Sequence, residues 1–146
     1  AGGTSTSDMA TVTPDRVGTG SDWKWIDAGA IHTCGTRGGG TIWCWGDNGD
    51  GQLGDGTTTG RTTPGQVGTD SGWKRVASGG QGYPAQMSHT CGIRAGELWC
   101  WGANGIGQLG DGTQTGRPLP TRIGTSTGWS EVDAGGVATA GTRPRG

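Results

Sequence analysis

The stretch Trp43-Cys44-Trp45-Gly46-Asp47-Asn48-Gly49-Asp50-Gly51-Gln52-Leu53-Gly54-Asp55-Gly56-Thr57 returns as Trp99-Cys100-Trp101-Gly102-Ala103-Asn104-Gly105-Ile106-Gly107-Gln108-Leu109-Gly110-Asp111-Gly112-Thr113, every position shifted by 56 residues. The same shift carries Arg61 onto Arg117, Pro64 onto Pro120, Val67 onto Ile123 and Trp73 onto Trp129. Upstream, His32-Thr33-Cys34-Gly35 matches His89-Thr90-Cys91-Gly92. Self-similarity at a period of this size marks a repeat architecture. The two full units cover residues 22–68 and 72–124, and the second is longer mainly through an insertion at 81–87. Residues 1–18 read as the tail of a unit, because Thr13-Pro14-Asp15-Arg16-Val17-Gly18 parallels Thr63-Pro64-Gly65-Gln66-Val67-Gly68. Residues 128–146 read as the head of another, opening on Trp129.

Each unit predicts four short strands, in the first unit at 23–28, 31–37, 41–46 and near 64–68. Apolar and aromatic residues alternate through Ile42, Trp43, Cys44 and Trp45. Gly38-Gly39-Gly40 and Ala95-Gly96 supply hairpin turns between the second and third strands. No stretch carries a capped helical stripe. Four strands in about 50 residues is the spacing of a propeller blade. The expected fold is therefore all-β: β-propeller blades of four antiparallel strands, in a partial propeller or a multi-chain assembly.

These residues carry a family resemblance. The pattern W-x-x-V/I-x-A/S-G, H-T-C, L/I-W-C-W-G-x-N, G-Q-L-G-D-G-T, P-x-x-V/I resembles the regulator-of-chromosome-condensation repeat, in the form common in bacterial secreted proteins, over about residues 11 to 143. The resemblance implies a seven-bladed propeller, for which this chain is too short. It is either a piece of a longer chain or one of several copies sharing a ring or filament. The family's founding activity, nucleotide exchange on a small nuclear GTPase, is not carried over.

Composition narrows the function classes. Only 29% of the 146 residues are hydrophobic, with no Phe, one Tyr and eight Trp. The 35 glycines lack a strict three-residue period, so they signal tight turns rather than collagen. The patterned Trp residues argue against disorder. A formal charge of −1 without a basic block excludes a nucleic-acid footprint, and no apolar run is long enough to span a membrane. The chain opens on Ala1, consistent with a removed leader or a fragment.

The cysteines are the firmest candidates. Cys34 and Cys44 flank one hairpin turn, Cys91 and Cys100 the other, so each pair faces across two strands where a bridge needs little movement. The trailing head has Ala140 where a lone Cys would find no mate. Two disulfides within blades, and an oxidising extracellular compartment, are the expectation. Zinc, the competing reading, lacks close C-x-x-C spacing and would need His32 and His89 from separate units. His32 and His89 read as repeat-structural residues that hydrogen-bond a neighbouring loop. Asp47, Asn48, Asp50, Gln52 and Asp55 miss the calcium-loop register, and the second copy replaces two of them. Asp55 and Asp111 read as turn residues. Trp43, Trp45, Trp99 and Trp101 read as packing between blades, with their intervening Cys on the opposite face. A sugar-stacking or partner-binding platform built with Tyr83 is the sharper alternative. The insertion, with Tyr83, Gln86 and Met87, is the candidate binding loop, since it is the one part that does not repeat.

No nucleophile, base and orienting group come together, no paired carboxylates stand out, and no phosphate-cradling loop precedes a lysine and a helix. The expected function is a non-enzymatic extracellular scaffold, without cofactor or metal, that assembles with itself through incomplete edge blades into a ring or filament. The alternative is a binding module for a glycan or another protein.

Overall fold

The structure, a computed structural model, describes residues 18–81 and 87–145. It is all-β. Among the described residues ten strands run in chain order: β1 Trp23–Ala28, β2 His32–Arg37, β3 Ile42–Gly46, β4 Arg61–Gln66, β5 Trp73–Gly79, β6 His89–Arg94, β7 Glu97–Gly102, β8 Arg117–Arg122, β9 Glu131–Ala134 and β10 Thr139–Thr142. They form two antiparallel four-stranded blades, β1-β2-β3-β4 and β5-β6-β7-β8, and a two-stranded part-blade of β9 and β10. Among the described residues no helix is long and apolar enough to cross a membrane. Of the expected tail at residues 1–18, residues 1–17 lie outside the described residues.

The fourth strand differs from expectation: it runs Arg61–Gln66, not from Pro64 to Gly68. Pro64 sits inside it. That is tolerated because β4 is an edge strand, paired among the described residues with β3 alone, where a missing N–H need not cost a ladder bond. The second and third strands begin one residue later than read, at His32 and Ile42.

Local chemistry fixes the register. Ala95 and Gly96 both take positive φ, 52° and 75°, the type I′ geometry that matches the twist of a two-residue hairpin. Cys34 pairs directly with Cys44 and Cys91 with Cys100, and both pairs are disulfides. Each closes a loop of about ten residues, for which chain-entropy reasoning gives about 2–3 kcal/mol. A bulge follows at Gly46 and at Gly102, with φ of 109° and 104°. A Cβ on Gly46 would lie 2.7 Å from the Ile31 carbonyl oxygen, so only glycine fits.

The core lies between blades as much as within them. Ile42, Leu53 and Val67 of the first blade enclose Trp101 of the second, which is fully buried, together with Trp73 and Val76. Trp73 meets Trp101 edge to face at 5.9 Å between ring centres and Trp99 at 6.2 Å. Blade joins repeat too: the Trp73 amide donates to the Gly40 carbonyl and the Trp129 amide to the Gly96 carbonyl, both at 2.9 Å. Trp73, at the start of β5, and Trp129, just ahead of β9, thus each hang on the hairpin turn of the blade before.

Candidate functional site

Three places in this frame concentrate polar or exposed chemistry: the relay between blades, the loop after each third strand, and the open side of the part-blade.

The relay begins at His32 on β2. Its Nε2 stands 2.8 Å from the Thr90 hydroxyl on β6, and that hydroxyl donates its own hydrogen to the Gln52 carbonyl at 2.7 Å. A hydroxyl has one proton to give, so His32 must be the donor and its Nδ1 carries no proton. The Trp101 indole donates to the same Gln52 carbonyl at 3.0 Å. His89 repeats the arrangement with Thr139 of β10 at 3.0 Å. Burial, with the neighbouring His89 adding to it and Asp47 opposing, pushes His32 down to about 4. Burial lowers His89 as well, against the backbone of Met87 and Ala138. Both rings are thus neutral struts between blades, not proton carriers near neutral pH.

The loop after β3 folds around a fully buried side chain that sequence reasoning did not single out, Asn48. Its Nδ2 amide reaches Asp55 Oδ1, the Thr57 carbonyl and hydroxyl, and the Thr59 carbonyl, at 3.0 to 3.2 Å. Its Oδ1 accepts the Leu53 amide at 2.9 Å. Asn104 repeats every one of these contacts with Asp111, Thr113, Thr115 and Leu109. Asp55 and Asp111 therefore do more than make a turn. Asp55 pairs with Arg61 at 2.9 Å and Asp111 with Arg117 at 2.8 Å. Burial alone would raise the Asp111 carboxyl, but the Thr113 hydroxyl and amide, Arg117 and Asn104 outweigh it and hold it well below the usual range. The signal in the sequence was available. Asn48 and Asn104 are identical in the two copies, whereas Asp47 and Asp50 give way to Ala103 and Ile106.

The copies differ in how that loop is finished. Asp47 accepts from Gln52 Nε2 at 2.8 Å, and Asp50 accepts the Ser88 amide of the next blade at 3.1 Å. Opposite Ala103, Gln108 Nε2 is buried with no hydrogen-bond partner.

The tryptophans sort by face. Trp43, Trp45 and Trp99 are half-buried and Trp101 is buried, while Cys44 and Cys100 point to the other side and are buried. Arg37 stacks on Trp23 and Trp43, and Arg94 on Trp73 and Trp99, with the guanidinium carbon 4.4 to 5.6 Å from the ring centres. Tyr83 and Gln86 lie outside the described residues. Met87 is half-buried, and its amide faces the Gln81 carbonyl at 3.5 Å. The four cysteine sulfurs are consumed in disulfides, and among the described residues no cluster of three His, Cys, Asp or Glu side chains converges.

The part-blade is the two-stranded side: among the described residues β10 is hydrogen-bonded to β9 alone, whereas its counterparts β2 and β6 each have a strand on both sides. Beside it lies a groove of about 510 Å³, lined by Leu98, Leu109, Ile123 and Trp129, with Ile106 and Val137 at its rim. The last two are about half exposed.

Blades of four antiparallel strands, joined side by side through the same contacts, define a β-propeller repeat protein. The profile of the Regulator of chromosome condensation (RCC1) repeat matches residues 39–82 and 95–140, and the chain belongs to that family. It is 34% identical over 129 residues to the Ultraviolet-B receptor UVR8 of Arabidopsis thaliana, covering 86% of this chain and 28% of that protein. The fold is similar to human WBSCR16, with a TM-score of 0.67 at 21% identity over 82% of this chain and 30% of that one. It is also similar to yeast RCC1 (Prp20) solved bound to Kap60, with a TM-score of 0.67 at 20% identity over 84% of this chain and 30% of that one. Prp20p from Saccharomyces cerevisiae, a protein with binding properties to Gsp1p and histones, gives a TM-score of 0.69 at 19% identity over 92% of this chain and 33% of that one. The chain thus spans about a third or less of the length of each of these proteins.

Proposed function

We propose that this chain is a non-enzymatic structural repeat protein of the extracellular, bacterial secreted type. It works by completing its part-blade with strands of other polypeptides, copies of itself first among them. The observation that carries this reading is the outer edge of β10, a strand with one hydrogen-bonded neighbour among the described residues, beside an apolar groove. Unpaired strand edges recruit strands. Two disulfides favour an oxidising compartment. A yeast protein of the same fold, Prp20, was solved bound to Kap60 and has binding properties to Gsp1p and histones, which supports a contact function over catalysis. A heterologous contact of this kind gives a ring if the rotation closes and a filament if it does not.

The test is native mass by light scattering under non-reducing conditions, with free thiols counted on the same sample. The expected result is no free thiol and a mass that is a multiple of the 14.7 kDa chain. A monomer at every concentration overturns self-assembly.

A second reading, a loop-face binder of a protein or glycan, is favoured by the placement of the insertion. Its last residue precedes Ser88, whose amide is held by Asp50 across the blade junction. Deleting residues 81–87, with Tyr83, Gln86 and Met87, would abolish binding on this reading and leave it unchanged on the first.

A further inference from the structure

The chain's two asparagines, Asn48 and Asn104, are each followed by a glycine, Gly49 and Gly105. Such a pair is thermolabile. The next backbone nitrogen can attack the side-chain amide, and glycine, without a Cβ, leaves that nitrogen open to the approach. The fold separates the two halves of this reaction. Each asparagine is 1% exposed, while the glycine beside it is exposed to solvent. The nitrogen that would have to depart, Nδ2, is also the one that binds the loop together. In Asn104 it reaches Asp111, Thr113 and Thr115 at 3.0 to 3.2 Å. Ring closure therefore waits for the loop to open.

The copies differ at the attacking nitrogen. The Gly49 amide donates to Asp47 Oδ2 at 3.1 Å. To attack, that amide must give up its proton, and a carboxylate beside it disfavours the resulting anion. Asp47 also ties the loop to Gln52 at 2.8 Å. In the second copy Ala103 stands in place of Asp47. Among the described residues no hydrogen bond holds the Gly105 amide, and Gln108 Nε2 has no partner.

We infer that Asn104–Gly105 is the chain's site of spontaneous deamidation, gated by opening of the loop between β7 and β8, and that Asp47 protects the same linkage in the first copy. The Gly105 nitrogen bonds to Asn104 Cγ, the Cγ–Nδ2 bond breaks, and Nδ2 leaves as ammonia with the amide proton. Water then opens the succinimide at either carbonyl and leaves aspartate or isoaspartate. The product prevents the loop from reclosing. A carboxylate at position 104 has no hydrogen to offer, and its neighbours, the Asp111 carboxylate and the Thr113 and Thr115 carbonyls, are all acceptors. The linkage thus turns a transient opening of the second blade into a permanent one.

The test follows both asparagines by peptide mass mapping while the whole disulfide-intact chain is held at mildly alkaline pH, with the same chain unfolded in urea as reference. Unfolded, the two linkages should convert at similar rates. Folded, both should convert far more slowly, Asn104 about fivefold faster than Asn48, the factor that one hydrogen bond is worth. Ala103→Asp should bring Asn104 down to the rate of Asn48, and Asp47→Ala should bring Asn48 up, each measured against its own unfolded reference. Chains converted at position 104 should lose amide-exchange protection at Leu109. Equal rates in the folded parent would mean that only globally unfolded chains react, which overturns the local gate. Folded rates matching the unfolded ones, Asn48 converting first, or an Ala103→Asp chain converting as fast as the parent would overturn it too. A converted chain that keeps Leu109 protected refutes the permanent opening.

Discussion

The imidazole of His32 stands 2.8 Å from the hydroxyl of Thr90, which lies 58 residues further along the chain on a different blade. His89 and Thr139 form the same partnership across the next junction. The His32 ring donates from Nε2, and among the described residues its buried Nδ1 has no partner to receive a second proton. Thr90 spends its proton on the Gln52 carbonyl, and both rings are buried.

Stability should therefore fall in mild acid. In the unfolded chain His32 titrates near its ordinary value of 6.5, and in the folded chain near 4. Between those values the unfolded state binds a proton that the folded state refuses. The contribution is present in full above about pH 6.5, is lost at about 1.4 kcal/mol per pH unit as pH falls toward 4, and changes no further below. His89, lowered for the same reason, adds to the loss in the same direction. Urea midpoints at pH 7.5 and pH 5 check this. His32→Gln, which can still donate to Thr90, should shrink the difference, and identical midpoints in the parent protein at the two pH values would refute the account.

Asn104→Ala should cost about 2–4 kcal/mol, more than a typical surface change. It removes the acceptor for the Leu109 amide and the amide group that ties Asp111, Thr113 and Thr115 together. The Arg117–Asp111 pair sits on the same loop, so its geometry should loosen too. Chemical denaturation gives the size of the loss, and amide exchange of Leu109 localises it. A cost below about 0.5 kcal/mol would mean that the loop is held by something other than Asn104.

How much of this was legible in the sequence depended on the range of the interaction. The repeat placed Cys34 opposite Cys44 and Cys91 opposite Cys100, because a hairpin ties nearby residues and its turn sets the register. The β4 boundary differs, because Pro64, expected at the start of the strand, lies inside it, as the edge position of β4 allows. The partner of His32 was read only as a neighbouring loop. Thr90 becomes its neighbour through the angle between blades, which no local pattern encodes. Asn48 stands inside an acidic run that misses the calcium-loop register, which hides it. The difference between its copies, constant Asn against variable Asp47 and Asp50, was the available clue to a structural hub.

Ala103→Asp should stabilise the second blade by about 1 kcal/mol. The first blade shows the contact to be restored: Asp47 accepts from Gln52 Nε2 at 2.8 Å and from the Gly49 amide at 3.1 Å. Gln108 Nε2 is buried without such a partner, and an unsatisfied buried donor costs about 1–3 kcal/mol. Ala103 is only partly buried, so the new carboxylate keeps some water. The check is a thermal melt of the variant beside Ala103→Asn, whose neutral oxygen should recover part of the gain. A lowered melting temperature for both would show that Gln108 is satisfied in another way.

Ala95→Asn isolates the backbone. Ala95 holds φ at 52°, a conformation that costs an L-residue with a Cβ about 1–2 kcal/mol, and it precedes Gly96 at 75° in the β6–β7 turn. Asn-Gly is the favoured pair for a type I′ hairpin, because Asn enters the left-handed region at less cost than Ala. The substitution should raise stability by about 0.5–1 kcal/mol with the disulfide intact. The gain should be of similar size after reduction, since the turn and the Cys91–Cys100 bridge act on different parts of the hairpin. Ala95→Val, a β-branched residue at the same φ, should lose stability instead. Equal melting temperatures for the Asn and Val variants would show that the turn relaxes out of the left-handed region.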